Sequence, residues 1–211
     1  MALIQKRPYV TSDVPAYTIG ATRTLLIIGL GNPGKDYDDT RHNIGFAALD
    51  HFAKQNDFPA WIEKKDLKCL LTMANMGQNR VILCMPATFM NLSGQAAQAV
   101  QRFYRIYNQQ TLVAYDELAI PFGQLRTRLG GSDAGHNGVK SLIQHLSEDF
   151  GRLRIGVGSE LAEKIDAADY VLKKFSKEEQ AHLPQILREA NALITEFVFG
   201  DRLPHETRTV I

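Results

Sequence analysis

The chain has 211 residues, 45% of them apolar, which is enough for one domain with a sizeable core. Its formal net charge is only +1, so bulk positive charge does not drive binding to nucleic acid, and any polyanion must meet a local basic patch. No run approaches the roughly 18 uninterrupted apolar residues of a membrane span, and Met1–Gly20 lacks the apolar centre of a secretory signal, so a cytoplasmic protein with no membrane partner is expected.

Residues 1–22, with Pro8 and Pro15 and little periodicity, read as an N-terminal extension ahead of a main domain over 23–211. A transit peptide fits poorly, because basic residues and serines are few there. Leu25-Leu26-Ile27-Ile28 has the pattern of a buried strand, and Gly29-Leu30-Gly31-Asn32-Pro33-Gly34 follows it directly. By spacing these glycines fit the G-x-G-x-x-G dinucleotide fingerprint, with Asp50 about 20 residues on as the ribose acid. Local signals oppose that reading. The fingerprint needs a helix to open within the glycine turn, whereas Pro33 and Lys35-Asp36-Tyr37-Asp38-Asp39 hold the chain in a loop. The helical pattern starts only near Thr40, a candidate N-cap, and runs over 44–54 with Ile44, Ala48 and Phe52 on one face, which leaves Asp50 in mid-helix.

Residues 67–85 hold two strands around a Gly77-Gln78-Asn79 turn, so part of the sheet is antiparallel. Ser93 is a candidate N-cap for a second helix marked by Ala96, Ala97, Val100, Phe103, Tyr104 and Tyr107. Strands follow at 111–115 and 124–128, then a helix over 138–146 behind a glycine-rich loop, then a last clear strand at 153–157. Ser176 and Glu179 form a capping box for a C-terminal helix with Leu183, Ile186, Leu187, Ala190, Leu193, Ile194 and Phe197 on one face, which Pro184 must kink or restart. The expected fold is α/β, a single-domain mixed β-sheet with helices on both faces.

Cys69 and Cys84 lie in apolar strand-like runs with no C-x-x-C spacing, so they read as buried thiols rather than a disulfide or metal site. Polar residues that could do chemistry fall in loops or at element ends: Asn32, Tyr37, His42, Asn91, Asp116 and Asn137. Asp116 ends the apolar run Leu112-Val113-Ala114-Tyr115, where ligand sites of open α/β sheets collect. A His–carboxylate pair is the usual general-base unit; His42 is one candidate for it and His136 another, with a capping or surface role as the alternative. There is no G-x-S-x-G elbow, no catalytic-looking cysteine, no H-E-x-x-H and no Walker sequence. What remains is direct attack by water on an activated substrate; a His–Asp pair, with asparagine amides as uncharged donors to a carbonyl or oxyanion, suffices for a relatively labile ester. Arg126 with Arg128, and Arg152 with Arg154, share strand faces by two-residue alternation, either as solvated surface or as a phosphate clamp.

Several blocks in order carry a resemblance: Gly29–Gly34, Tyr37, Thr40-Arg41-His42-Asn43, Pro86-Ala87-Thr88-Phe89-Met90-Asn91-Leu92-Ser93-Gly94, Asp116-Glu117-Leu118, Gly130-Gly131, Gly135-His136-Asn137-Gly138 and Arg152-Leu153-Arg154-Ile155-Gly156. Together they closely resemble bacterial-type peptidyl-tRNA hydrolase over about 25–199. The resemblance implies hydrolysis of the ester joining a stalled peptide to the 3′ ribose of its tRNA, in a monomer that uses no metal and no cofactor. The partner it implies is peptidyl-tRNA, met at its acceptor stem, 3′ end and peptide. It assigns His42 as catalytic base, Asp116 as its orienting partner, and Asn32, Asn91 and Asn137 as amides holding the peptide and the attacking water, with Asn91 also stabilising the oxyanion. It puts Met90 in the peptide site, Tyr37 at the 3′-terminal nucleotide, and Arg128 and Arg154 at the tRNA 5′ phosphate. The sequence departs from the family's pattern at Asp133, where an acid replaces a histidine or small neutral residue, and over 159–163, which lacks the proline and basic residues of the family's mobile lid. A second reading is a non-hydrolytic RNA-binding scaffold of the same fold, and a third is a dinucleotide-dependent oxidoreductase.

Overall fold

In a computed structural model, residues 23–160, 162, 164–200 and 203–211 are described; the expected extension over 1–22 lies outside them. In chain order the elements are β1 (Arg23–Gly29), α1 (Ile44–Gln55), β2 (Ile62–Lys64), β3 (Cys69–Met76), β4 (Asn79–Pro86), α2 (Ser93–Tyr104), β5 (Thr111–Pro121), β6 (Gln124–Leu129), α3 (Asn137–Leu146), β7 (Gly151–Gly158), α4 (Ala167–Val171), α5 (Lys177–Phe199) and β8 (Thr207–Thr209). The strands form one eight-stranded sheet ordered β2-β3-β4-β1-β5-β7-β6-β8. The inner strands β4, β1, β5 and β7 run parallel, and antiparallel pairs close both sides. The mixed sheet follows from the chain itself, since the tight turn at Gly77 can only return an antiparallel partner.

The two-residue alternation of β1 divides the core between two faces. Leu25 and Ile27 pack with Val81, Leu83, Leu112 and Ala114 beneath α1 and α5, while Leu26 and Ile28 pack with Ile82, Cys84, Val113 and Tyr115 beneath α2 and α3. Both cysteines are buried free thiols within this second cluster. No helix among the described residues is long and apolar enough to cross a membrane.

Several elements differ from their sequence patterns. Neither Thr40 nor Ser93 caps through its side chain: each hydroxyl donates backward instead, to Tyr37 O and Met90 O, and a short 3-10 turn precedes α1 and α2 alike. α2 stops at Tyr104 because Arg105 turns left-handed, so Tyr107 falls beyond the helix, and Phe103 is exposed. α5 runs through Pro184 without restarting, because its buried face, Leu183, Ile186, Leu187 and Ala190, outweighs the roughly 3 kcal/mol that an interior proline costs. β7 is not the last strand: the short polar β8 pairs with β6, and Arg208 ties it to Glu189, Glu196 and Glu206 at 2.7–2.8 Å. β5 does not end at Asp116 but continues to Pro121, with a register shift after Glu117.

Two glycines let the first strand and first helix meet closely. A Cβ on Gly45 would lie 2.4 Å from Ala114 O and 2.6 Å from Leu30 N, and a Cβ on Gly29 would lie 2.4 Å from Gly45 O. The N-terminal end of α1 is thereby seated on the carboxyl end of β1 and on β5 at Ala114. Gly45→Ala should therefore destabilise the fold by about 3 kcal/mol, the upper range for overpacking a tight core. A urea midpoint unchanged from wild type would refute this account of the close contact.

Candidate active site

Loops at the carboxyl ends of β1 and β4 and the start of α3 converge on Asp116, which lies within β5 and is 2% exposed. His42 sits on the 3-10 turn Arg41–Asn43, ahead of α1 rather than in its first turn, and its Nδ1 lies 2.9 Å from Asp116 Oδ1 and 3.1 Å from Oδ2. His136 Nε2 lies 3.0 Å from the same Oδ1. Burial works to push the Asp116 carboxyl up, but the two imidazoles, through charge and hydrogen bonds, outweigh it and hold the group well below the usual carboxylate range. An ionised carboxylate only accepts, so both ring nitrogens facing it carry the hydrogen. In its neutral form His42 is then left with Nε2 as an open lone pair.

The turn that carries His42 is anchored on both sides. Asn43 Oδ1 accepts from Asn32 N at 2.8 Å, and Asn43 Nδ2 donates to Asn32 O at 3.0 Å. On the other side the Arg41 guanidinium donates to Lys173 O, Lys174 O and Glu179 Oε2, the last at 2.6 Å, and lies 4.3 Å above the Tyr170 ring. Glu179 also accepts from Ser176 N, so one carboxylate both caps α5 and neutralises the buried arginine.

The expected residues fall into three groups. Asn32, Met90 and the start of α3 are brought together: Asn32 Oδ1 accepts from Met90 N at 2.8 Å, and the buried Met90 sulfur lies so close to Gly138 that a Cβ there would meet it at 2.4 Å. Asn32 therefore has only its amide Nδ2 free for a ligand. Asn91 and Asn137 are exposed beside these anchors, on the 3-10 turn Met90–Leu92 and at the first residue of α3, and their side chains make no hydrogen bond among the described residues. Tyr37 meets the exposed Phe89 edge to face, 6.2 Å between centroids.

Arg128 and Arg154 belong to a separate patch. The antiparallel register pairs Arg126 with Arg154 and Arg128 with Arg152, which puts four arginines on one face of β6 and β7. They are not a simple solvated face. Arg152 is buried, with its guanidinium on Ser132 O and Gly131 O, and Arg154 is held by Glu117 Oε2 through both Nε and Nη2 at 3.0 Å. The sequence pattern gives no role to Asn43, Arg41 or Glu117 and reads Arg152 only as surface or phosphate clamp, because their partners are distant along the chain.

His42, Asp116 and His136 are also the one cluster of potential metal ligands among the described residues. The donor geometry fits an ion poorly. His136 Nδ1 already accepts from Gly138 N at 3.1 Å and Val139 N at 3.3 Å, so a metal on Nε2 would leave the ring proton no nitrogen to occupy. Asp50, the acid a dinucleotide site would need, pairs instead with Lys54 and with Trp61 Nε1 on the surface of α1.

Known proteins give the same picture. A family model described as peptidyl-tRNA hydrolase matches residues 26–209. The chain is 50% identical over 163 residues to a peptidyl-tRNA hydrolase of Gloeobacter violaceus, covering 77% of this chain and 81% of that one. It is 42% identical over 178 residues to one of Clostridium botulinum, covering 84% and 91%. Among solved structures, the peptidyl-tRNA hydrolase of Acinetobacter baumannii superposes with a TM-score of 0.76 at 32% identity, over 83% of this chain and 88% of that one.

The depressed Asp116 ionisation has a sign for stability. A carboxyl with a lowered folded-state pKa stabilises the fold above its unfolded value, and that contribution drains as pH falls through the folded one. Asp116→Asn should therefore flatten the fall of Tm between about pH 5 and pH 2. A wild-type slope in the variant would show that the carboxylate is not the group responsible.

Proposed function

The chain belongs to the peptidyl-tRNA hydrolase family, and we propose that His42, Asp116 and Asn91 carry out its hydrolysis of the ester between peptide and tRNA. The observation that carries this reading is the 2.9 Å contact between His42 Nδ1 and buried Asp116, which leaves Nε2 of the same ring open beside the carboxylate.

In this mechanism His42 Nε2 takes a proton from water as the water oxygen attacks the ester carbonyl. The developing imidazolium is stabilised by Asp116, as in other His–carboxylate units. The free amide of Asn91 donates to the tetrahedral oxyanion, and the amides of Asn32 and Asn137 hold the peptide and the water. When the intermediate collapses, the carbon–oxygen bond to the ribose breaks and the proton passes from His42 to the departing ribose oxygen. The products are a peptide acid and a tRNA with a free 3′ end. Met90 lines the peptide site, and Tyr37 stacks on the 3′-terminal nucleotide with Phe89 beside it.

Arg128 and Arg154 hold the tRNA 5′ phosphate through charge-assisted bonds, Arg154 being presented by Glu117. The working unit is residues 23–211 acting as a cytoplasmic monomer, with residues 1–22 as an extension to it, and the partner is peptidyl-tRNA through its acceptor stem, 3′ end and peptide.

Release of peptide from N-acetyl-aminoacyl-tRNA tests the reading directly. His42→Ala should lower kcat by about 10³-fold while tRNA binding is kept, as removal of a general base does. An undiminished rate would remove His42 from the role, and a folded protein that binds tRNA without turnover would favour the scaffold reading. Neutralising Arg128 or Arg154 should raise KM and reduce the log–log salt slope by about one unit. A slope unaltered by both changes would return the arginines to a structural role.

A further inference from the structure

We propose that His136 is a positioning residue for the same reaction, a one-way hydrogen-bond donor that fixes the carboxylate of Asp116 because its other nitrogen is consumed as the cap of α3. The inference rests on the reading of His42 as the base.

A neutral imidazole has one N–H and one lone pair. At His136 the lone pair is identified by its neighbours: Gly138 N and Val139 N both point their hydrogens at Nδ1, 3.1 and 3.3 Å away. These are orphan amides of the first helical turn, and a ring nitrogen takes the place that a Ser or Asp oxygen fills at most N-caps. The hydrogen must then sit on Nε2, where it meets Asp116 Oδ1 at 3.0 Å. With both nitrogens spent, His136 has none to accept a proton from water. It differs in this from His42, which shares the same carboxylate oxygen but keeps Nε2 open.

Two consequences follow. The carboxylate cannot rotate away from His42, because a second donor on a helix end holds it. That donor also draws on the charge of Oδ1, so the pull of Asp116 on a protonated His42 is weaker than it would be alone. The surrounding charges leave this arrangement undisturbed. Tyr115 turns its ring edge to His136 at 5.1 Å, Glu117 is tied to Arg154, and Arg41 faces Glu179.

Two substitutions separate the halves of the role. His136→Asn keeps an acceptor near the position of Nδ1 and so keeps the cap, but is too short to reach Asp116. His136→Gln offers an amide donor at the reach of Nε2 but does not cap. Turnover of N-acetyl-aminoacyl-tRNA should fall by about tenfold or more in the Asn variant, the scale of a lost hydrogen bond to a charged group, with KM and Tm close to wild type. Its kcat/KM should also show an acid limb moved to higher pH. The Gln variant should retain the wild-type limb and most of kcat while Tm drops. The proposal is overturned if the Asn variant has wild-type kcat and pH profile, or if the Gln variant loses as much as the Asn variant with the same displaced limb. Absence of turnover in the wild type itself would instead remove the assignment of the base, a result distinct from either.

Discussion

A buried carboxylate is the constraint on which the site depends. An ionised Asp116 at 2% exposure would be costly in isolation, and two imidazoles compensate it, both at Oδ1. Each compensating group is itself held by something else, and the contacts close into a ring. Asp116 meets His136, which caps α3 through Gly138; Gly138 packs on Met90; Met90 N bonds Asn32; Asn32 is clamped by Asn43; and Asn43 adjoins His42, which returns to Asp116. Rotating any one polar member would leave a buried donor or acceptor unpaired, at about 1–3 kcal/mol each. The ring therefore holds the open nitrogen of His42 in place, between the exposed residues Asn91 and Asn137 that adjoin Met90 and Gly138.

The sheet supplies the frame for this ring. Parallel β4 and β1 deliver two loops to the end where Asp116 lies within β5, as ligand sites in open α/β sheets require. Gly29 and Gly45 let α1 approach until backbone meets backbone, which brings the His42 turn over Asp116 in β5. Arg41 then fastens that turn to the segment before α5 through Lys173 O, Lys174 O and Glu179. The C-terminal helix, remote in sequence from the catalytic residues, thus belongs to the scaffold of the site.

Positive charge is concentrated elsewhere. A net charge of +1 conceals a local concentration, four arginines on one face of β6 and β7 against one carboxylate from β5. The patch is separate from the ring, so its positive charge lies apart from the imidazoles, and the asparagine amides beside them carry no charge.

The sequence by itself determined the fold class, the family and the identity of the residues around Asp116. Those properties depend on local patterns: the apolar alternation of β1, the Gly77 turn, the Ser176–Glu179 capping box, and short motifs in fixed order. It could also reject the dinucleotide reading, because Pro33 and the polar loop after it act within a few residues. The tertiary structure alone decided what those residues touch. Nothing local distinguishes His42 from His136 as a base; the difference lies in which nitrogen faces Asp116 and whether the other meets helix amides. Nor could spacing show that Arg152 is buried on loop carbonyls while Arg154 is held by Glu117, or that α5 continues as one helix past Pro184. Hydrogen-bond partners and buried charge are set by segments far apart in the chain, and only their folded proximity fixes which atom donates to which.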